Sequence, residues 1–300
     1  MTNTLLAFML SLAAAGSLPP ESAVTAVKVA EVPGYTEGAV VGADGSVYVS
    51  DVYNGTIYRV GADGAAKAWA RTPAPNGHKI LPDGTHLVCD GKEHAVLRLD
   101  AEGRVTGKAA SEYDGKPLRA PNDLTLDPRG GFYFTDPGGS SVENPIGAVY
   151  YVDPQGGVRL VADGLAFPNG IALRRDGKAL LVGESKRNRI LSYHLVAPGR
   201  AGRMRVFAQL PTKAEGQIAN EPDGICFDAE GNLYVAHYGM RQVQVVSPAG
   251  KVVRRYGAGN LTTSNLALGG PRMDQLYVTG ALAEETTSRG GLFRLDLKKK

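Results

Sequence analysis

Pro222–Tyr238, PDGICFDAEGNLYVAHY, is the stretch whose reading decides the fold. Ile225 and Phe227 alternate with Gly224 and Cys226, the two-residue period of a strand. Asp228-Ala-Glu-Gly231 reads as a tight turn and Leu233-Tyr-Val-Ala236 as the returning strand. Asp223 stands just before the first strand and His237 at the end of the second. An antiparallel hairpin therefore brings both to one end.

The same pattern recurs along the chain. It spans Glu37–Asp51, Asn76–Asp90, Asn122–Asp136, Asn169–Glu184, Asp223–His237 and Asn265–Gly280. The openings lie about 40–55 residues apart, the spacing of four-stranded propeller blades rather than helical repeats. Third strands follow in Thr56–Val60, Val96–Leu99, Ala148–Val152 and Arg189–Tyr193, and fourth strands in Arg159–Ala162, Arg205–Ala208 and Val252–Arg255. The expected fold is an all-β, six-bladed β-propeller over residues 23–300. The sixth repeat shows three strands, ending in Gly291–Asp296, and Ala23–Val32 is strand-like ahead of the first. The N-terminal strand is thus expected to complete the last blade and close the ring. Asp63-Gly64, Asp83-Gly84, Asp176-Gly177 and Glu230-Gly231 are expected in tight turns between strands.

Thirty-nine glycines and eighteen prolines suit a turn-rich β chain. The net charge of +3 is too small and too scattered to argue for a nucleic-acid or anionic-membrane partner. Cys89 and Cys226 fall in different blades and read as reduced thiols. No CxxC, HExxH, GxSxG or phosphate-binding loop is present. Leu5–Ala15 is apolar and runs into small residues and Pro19-Pro20, as in a signal peptide, although Thr2-Asn-Thr4 lacks the positive charge of one. Residues 1–20 are therefore expected to be a signal peptide or a disordered tail. The first places the protein in the periplasm or medium, the second in the cytoplasm. Lys298–Lys300 reads as a solvated terminal run.

Propeller geometry turns the repeat into chemistry. The first strands of all blades line the channel in one direction, so equivalent openings converge on one mouth. Those openings are Glu37, Asn76, Asn122, Asn169, Asp223 and Asn265, all oxygen-bearing. A second set, Asp51, Asp90, Asp136, Glu184 and His237, is expected as an outer ring at the same mouth. The plain reading of Asn76 and Asn265 is a side chain bonded to its own backbone, and that of His237 a strand-end bond to a carbonyl. Two carboxylates in a narrow channel repel each other unless a cation or proton compensates. A divalent ion among Glu37, Asn122, Asn169 and Asp223 resolves the conflict. Hard oxygen donors favour Ca²⁺, Mg²⁺ or Mn²⁺, with Zn²⁺ as an alternative.

The motifs Glu37-Gly38, Ala120-Pro-Asn-Asp123 with Phe134-Thr-Asp-Pro137, Pro168-Asn-Gly170 and Pro222-Asp-Gly224 give the chain a specific likeness. From about Glu31 onward it resembles the superfamily of gluconolactonases, regucalcin (senescence marker protein) and luciferin-regenerating enzyme, bacterial gluconolactonases above all. The resemblance implies one divalent ion, calcium first, held by Glu37, Asn169 and Asp223. It implies further that Asn122 binds substrate or ion, that Asp223 is the acid/base, and that Arg119 contacts substrate, although Ala120-Pro121 sets Arg119 one residue further from Asn122 than in the family. The implied activity is metal-assisted opening of a sugar lactone, with Asp136 or His237 as alternative proton-transfer groups. Two other classes stay open. One is an organophosphate, arylester or strictosidine-synthase-like enzyme on the same metal site, and the other is a non-enzymatic ligand-binding propeller.

Overall fold

Alternate residues of each strand face opposite neighbours, and here both faces are covered. Leu180 and Val182 pack toward one adjoining sheet and Leu181 toward the other, all three fully buried. This double burial repeats around the molecule and produces six apolar clusters, one at each junction between adjacent sheets. The computed structural model describes residues 18–212, 219–282 and 289–297. The Leu5–Ala15 run, Lys298–Lys300 and positions 213–218 lie outside them.

Among the described residues there are six four-stranded antiparallel sheets, the blades of a propeller. Their inner strands are Thr36–Val41, Pro75–Ile80, Leu124–Leu126, Pro168–Leu173, Glu221–Phe227 and Leu266–Gly269. The sheets are named blades 1 to 6 in that order. Blade 6 is completed from the other end of the chain, with Ala26–Val32 pairing Gly290–Asp296 and Ala26 opposite Leu295. Leu18 and Pro19 also belong to the fold. Leu18 packs on the cluster between blades 5 and 6, and the Pro19 carbonyl accepts the Tyr256 hydroxyl at 2.9 Å. The packed chain therefore begins before the boundary that the apolar leader suggests.

The expected turns are present: Gly64, Gly84, Gly177 and Gly231 all have φ between +67° and +84°, a region open to glycine at no steric cost. Elements without a sequence counterpart include a small hairpin of Glu112–Tyr113 with Lys116–Pro117 between blades 2 and 3. Both cysteines are free thiols, Cys89 buried and Cys226 half-buried. Among the described residues no helix is long and apolar enough to cross a membrane.

Candidate active site

The inner strands crowd so closely at the axis that four carry glycine just after the ring position. A Cβ on Gly77 would lie 2.6 Å from the Asp123 Cα, and one on Gly224 would lie 2.8 Å from the Asn265 Cα. Gly38 and Gly170 abut the Asn76 and Asp223 carbonyls still more tightly. In these four strands the pairing register shifts across the glycine. Such a bulge re-aims the adjacent side chain. Asn76, Asn169 and Asp223 lie within the bulges, and Glu37 is the last paired residue before its own.

Blades 3 and 6 solve the crowding differently. Asp123 and Asn265 replace the glycine, and each side-chain oxygen accepts the next backbone N–H, from Leu124 and Leu266, at 2.8 Å. Their own N–H groups donate to Thr135 Oγ1 and Thr279 Oγ1, at 3.1 and 3.0 Å. This pattern corrects the repeat by one residue in blade 6. Asn265 is the counterpart of Asp123, and Ser264 takes the ring position that Asn122 holds in blade 3, as the Ser264 N–H to the Thr279 carbonyl and Asn122 N–H to the Thr135 carbonyl show. Asn265 does bond its local backbone, as the plain reading of a lone asparagine expects.

Glu37, Asn169 and Asp223 are each 7 % exposed, and Asn122 is half-buried beside them on the ring. Burial first, and then the Asp123 charge, push Glu37 up to about 8. Burial also lifts Asp223 well above the carboxylate range, reinforced by Glu37, Glu221 and Asp123 and opposed by the Asn169 amide. Asp123 is raised by burial, with Lys79 opposing. Glu37 Oε2 is buried and has no hydrogen-bond partner. Two carboxylates in each other's field, one with an orphaned oxygen, and two amides form an all-oxygen donor set that suits a hard divalent cation. Among the described residues no three His, Cys, Asp or Glu side chains gather as a metal-binding group, so amides are essential to any ligand set here.

The outer set does something else. Asp136 is fully buried, and its carboxylate accepts the backbone N–H groups of Arg119 and Ala120 at 2.8 and 2.6 Å. Asp90 accepts those of Ala74, Lys92 and Glu93. Glu184 takes the Ala166 N–H and the guanidinium groups of Arg187 and Arg189. His237 Nε2 meets Asn188 Oδ1 at 2.9 Å, and burial lowers the ring to about 4. These strand-end residues brace the loops between strands and blades, with His237 paired opposite Pro222 and Asp51 opposite Thr36. Arg119 is exposed, and its stem runs over Gly138 on blade 3.

Three residues at the site escaped the sequence reading. Asp123 was legible as the one Asn-Asp among Asn-Gly and Asp-Gly openings. Tyr35, whose hydroxyl is raised by burial and by Glu37 and Asp223, and Tyr238 carry no such signal. Depressions also lie elsewhere on the described surface. One of about 730 Å³, lined by Leu173, Phe227, Leu268 and Met273, opens at the opposite end of the strands and holds none of these residues.

Residues 35–282 match the SMP-30/gluconolactonase/LRE-like region. The chain belongs to that family. A lactonase drp35 of Staphylococcus haemolyticus is 33% identical over 223 residues, which cover 71% of this chain and 66% of that protein, just under two thirds of its length. A gluconolactonase structure from Xanthomonas campestris superposes with TM-score 0.79 at 24% identity, covering 93% of this chain and 91% of that one. Regucalcin from Agrobacterium tumefaciens, described as calcium-binding, gives TM-score 0.72 at 20% identity over 90% of this chain and 97% of that one. At these identities the two structures speak for the shared family fold.

Proposed function

We propose that this SMP-30/gluconolactonase/LRE-like chain hydrolyses lactones at the axial mouth. One divalent cation, calcium first, would be held by Glu37, Asn122, Asn169 and Asp223. The observation that carries this reading is the orphaned, buried Glu37 Oε2 beside Asp223. The proton that Glu37 keeps up to about 8 relieves the charge conflict but leaves Oε2 without a partner, a cost that a cation would offset. The lactonase and gluconolactonase relatives support the reaction class.

When bound, the cation supplies positive charge that ionises both carboxylates and polarises the ester carbonyl. The chain's own residues do the rest. The Asn169 amide orients Asp223. Asp223 takes the proton of the attacking water as the new C–O bond forms. It returns that proton to the ring oxygen as the acyl C–O bond breaks, leaving a hydroxy acid. Asp136, with its carboxylate on two amides, is set aside as the base. Export to the periplasm or medium belongs to the same proposal and rests on the apolar Leu5–Ala15 run; cell fractionation tests it.

The deciding experiment compares Asp223→Asn with Asn169→Ala on chelator-stripped protein titrated with Ca²⁺ near pH 6.5, against an enzyme-free blank. Asn169→Ala should recover much of its rate at saturating ion. Asp223→Asn should stay about two to four decades down, the worth of a general base. Full rescue of Asp223→Asn would reduce it to a ligand.

A further inference from the structure

The net charge of +3 conceals a gathering on one blade. Residues 168–209, blade 4, hold nine of the chain's 33 basic residues and two of its 30 acidic ones. This blade therefore carries +7 and the rest of the chain −4. At the mouth end three of the nine are engaged by carboxylates, Lys186 by Glu221 and both Arg187 and Arg189 by Glu184. Three others, Arg200, Arg203 and Arg205, stand on the outermost strand, Arg200–Gln209. All three are exposed, and none has an ion-pair partner among the described residues.

That strand is built unlike its counterparts. It runs for ten residues, against six to eight in the outermost strands of the other blades. Met204 and Val206 alternate with the arginines and are 47% and 44% exposed. Val196, on the third strand of the blade, is 57% exposed. The hairpin is held at its tip, where the Gly199 N–H donates to the Tyr133 hydroxyl of blade 3 at 2.9 Å. Met204 and Val206 pair with Tyr193 and Leu191, which face blade 3, whereas Arg205 pairs with Ser192. The rim thus carries apolar and cationic side chains on its two flanks.

Arginines on a free edge deter pairing with another chain, and that is their plainest use. It does not account for Met204, Val206 and Val196, which leave apolar surface in water beside them. An acidic peptide added as a fifth strand is a poor fit. The ladder between the third and fourth strands shifts register at three places, which bends the free edge. Nucleic acid is a poor fit too, because Tyr193 and Phe207, the aromatic residues of these strands, are buried and offer no face to a base. An anionic bilayer takes both kinds of side chain at once. Its negative surface attracts the guanidinium groups while the aliphatic groups enter the headgroup boundary.

We propose that the outer rim of blade 4, through Arg200, Arg203 and Arg205 with Val196, Met204 and Val206, is a docking surface for anionic phospholipid bilayers. It lies at the opposite edge of the blade from Asn169. Docking leaves the axial mouth uncovered and does not depend on the chemistry there.

Co-sedimentation of the full chain with lipid vesicles tests this. Phosphatidylglycerol mixed into phosphatidylcholine should bind the parent in low salt at least about tenfold better than phosphatidylcholine alone, and added salt should release it. The uncharged Leu5–Ala15 run cannot supply such a preference. Replacing Arg200, Arg203 and Arg205 together by Gln should cost about a hundredfold in partition, roughly fivefold per arginine. Lys67→Gln, Arg71→Gln and Lys251→Gln combined remove the same net charge from exposed positions on blades 1 and 5, and should stay within about twofold of the parent. Met204→Ser with Val206→Ser keeps every charge and should lose about three- to tenfold. An unshifted thermal melt shows that each variant is folded, and the parent's lipid and salt dependence is read without any variant. No preference of the parent for the anionic vesicles, or equal losses in the blade 4 and control triples, overturns the proposal. So does tighter binding to poly-glutamate or duplex DNA than to the vesicles through the same arginines, which would name a different anionic partner.

Discussion

Gly170 abuts the backbone of Asp223. A Cβ built on it would strike the Asp223 carbonyl oxygen and lie 2.8 Å from the Gly224 Cα. The residue that presents the central carboxylate is therefore positioned by a neighbour that must have no side chain. Gly170→Ala should cost about 1–3 kcal/mol through overpacking and weaken calcium binding by shifting Asp223. Gly107→Ala on the outer strand of blade 2, where nothing lies within 4 Å, is the control. Thermal unfolding and calcium titration that do not separate the two variants would refute the ring packing.

Glu37 gives the metal-free protein a pH signature. In the fold its carboxyl keeps its proton up to about 8, against an ordinary value of 4.5. Between those limits the folded state binds more protons than the unfolded one, so stability falls as pH rises. Glu37→Gln lacks this loss. In chelator, its melting temperature relative to the parent should climb from pH 5 to pH 8; with calcium added at pH 8 the order should reverse, because the parent gains more from binding. A gap that does not move with pH would show that Glu37 ionises freely.

Asp136 should behave as a brace. Asp136→Ala strands the part-buried amides of Arg119 and Ala120, at up to about 1–3 kcal/mol each. The folded fraction should keep the parent's calcium affinity and the shape of its pH–rate profile. A limb of that profile lost at 15 °C, with the protein still folded, would restore Asp136 to the chemistry.

The acid side belongs to a histidine pair between blades 1 and 2. His78 Nε2 and His86 Nδ1 are 2.7 Å apart, packed against Tyr48 and Trp69. Burial, opposed by Asp100, lowers His86 to about 4; burial, His86 and Lys79 lower His78 well below 6.5. The unfolded chain binds these protons first, so stability falls as pH drops from about 6.5 toward 4. His86→Gln should destabilise at pH 7.5 and do so less at pH 4.5. An equal penalty at both, read by chemical denaturation, would sink the assignment.

Much of the architecture was legible because each blade must repeat the same two-faced strand and the same turn. Asp83-Gly84 and Asp176-Gly177 announce their turns whatever surrounds them, and Glu37, Asn169 and Asp223 occur at one position of a repeat. What was not legible depends on neighbours distant in sequence. Asn265 was aligned with the ring residues because Ser264, the counterpart of Asn122, carries no chemical mark; from its own position the Asn265 side chain still reaches Glu37 and Asp123. Asp136 and His237 look like catalytic groups in sequence. Their partners, the Arg119 and Ala120 amides and Asn188, come from loops and neighbouring blades whose approach no local pattern encodes.

The pairing of Ala26 with Leu295 also governs how the molecule is made. During synthesis the Ala26–Val32 strand has no partner until Gly290–Asp296 has been made. Until then the edge of Ala26–Val32 and the exposed flank of blade 1 are open to pairing with other chains. Ring closure joins the most distant parts of the sequence, so it carries the largest loop-closure entropy of any strand pairing in the fold. We expect it to be the late, slow event of folding. A short-lived chaperone at the N-terminal strand would speed the yield of native protein more than one acting on any interior blade.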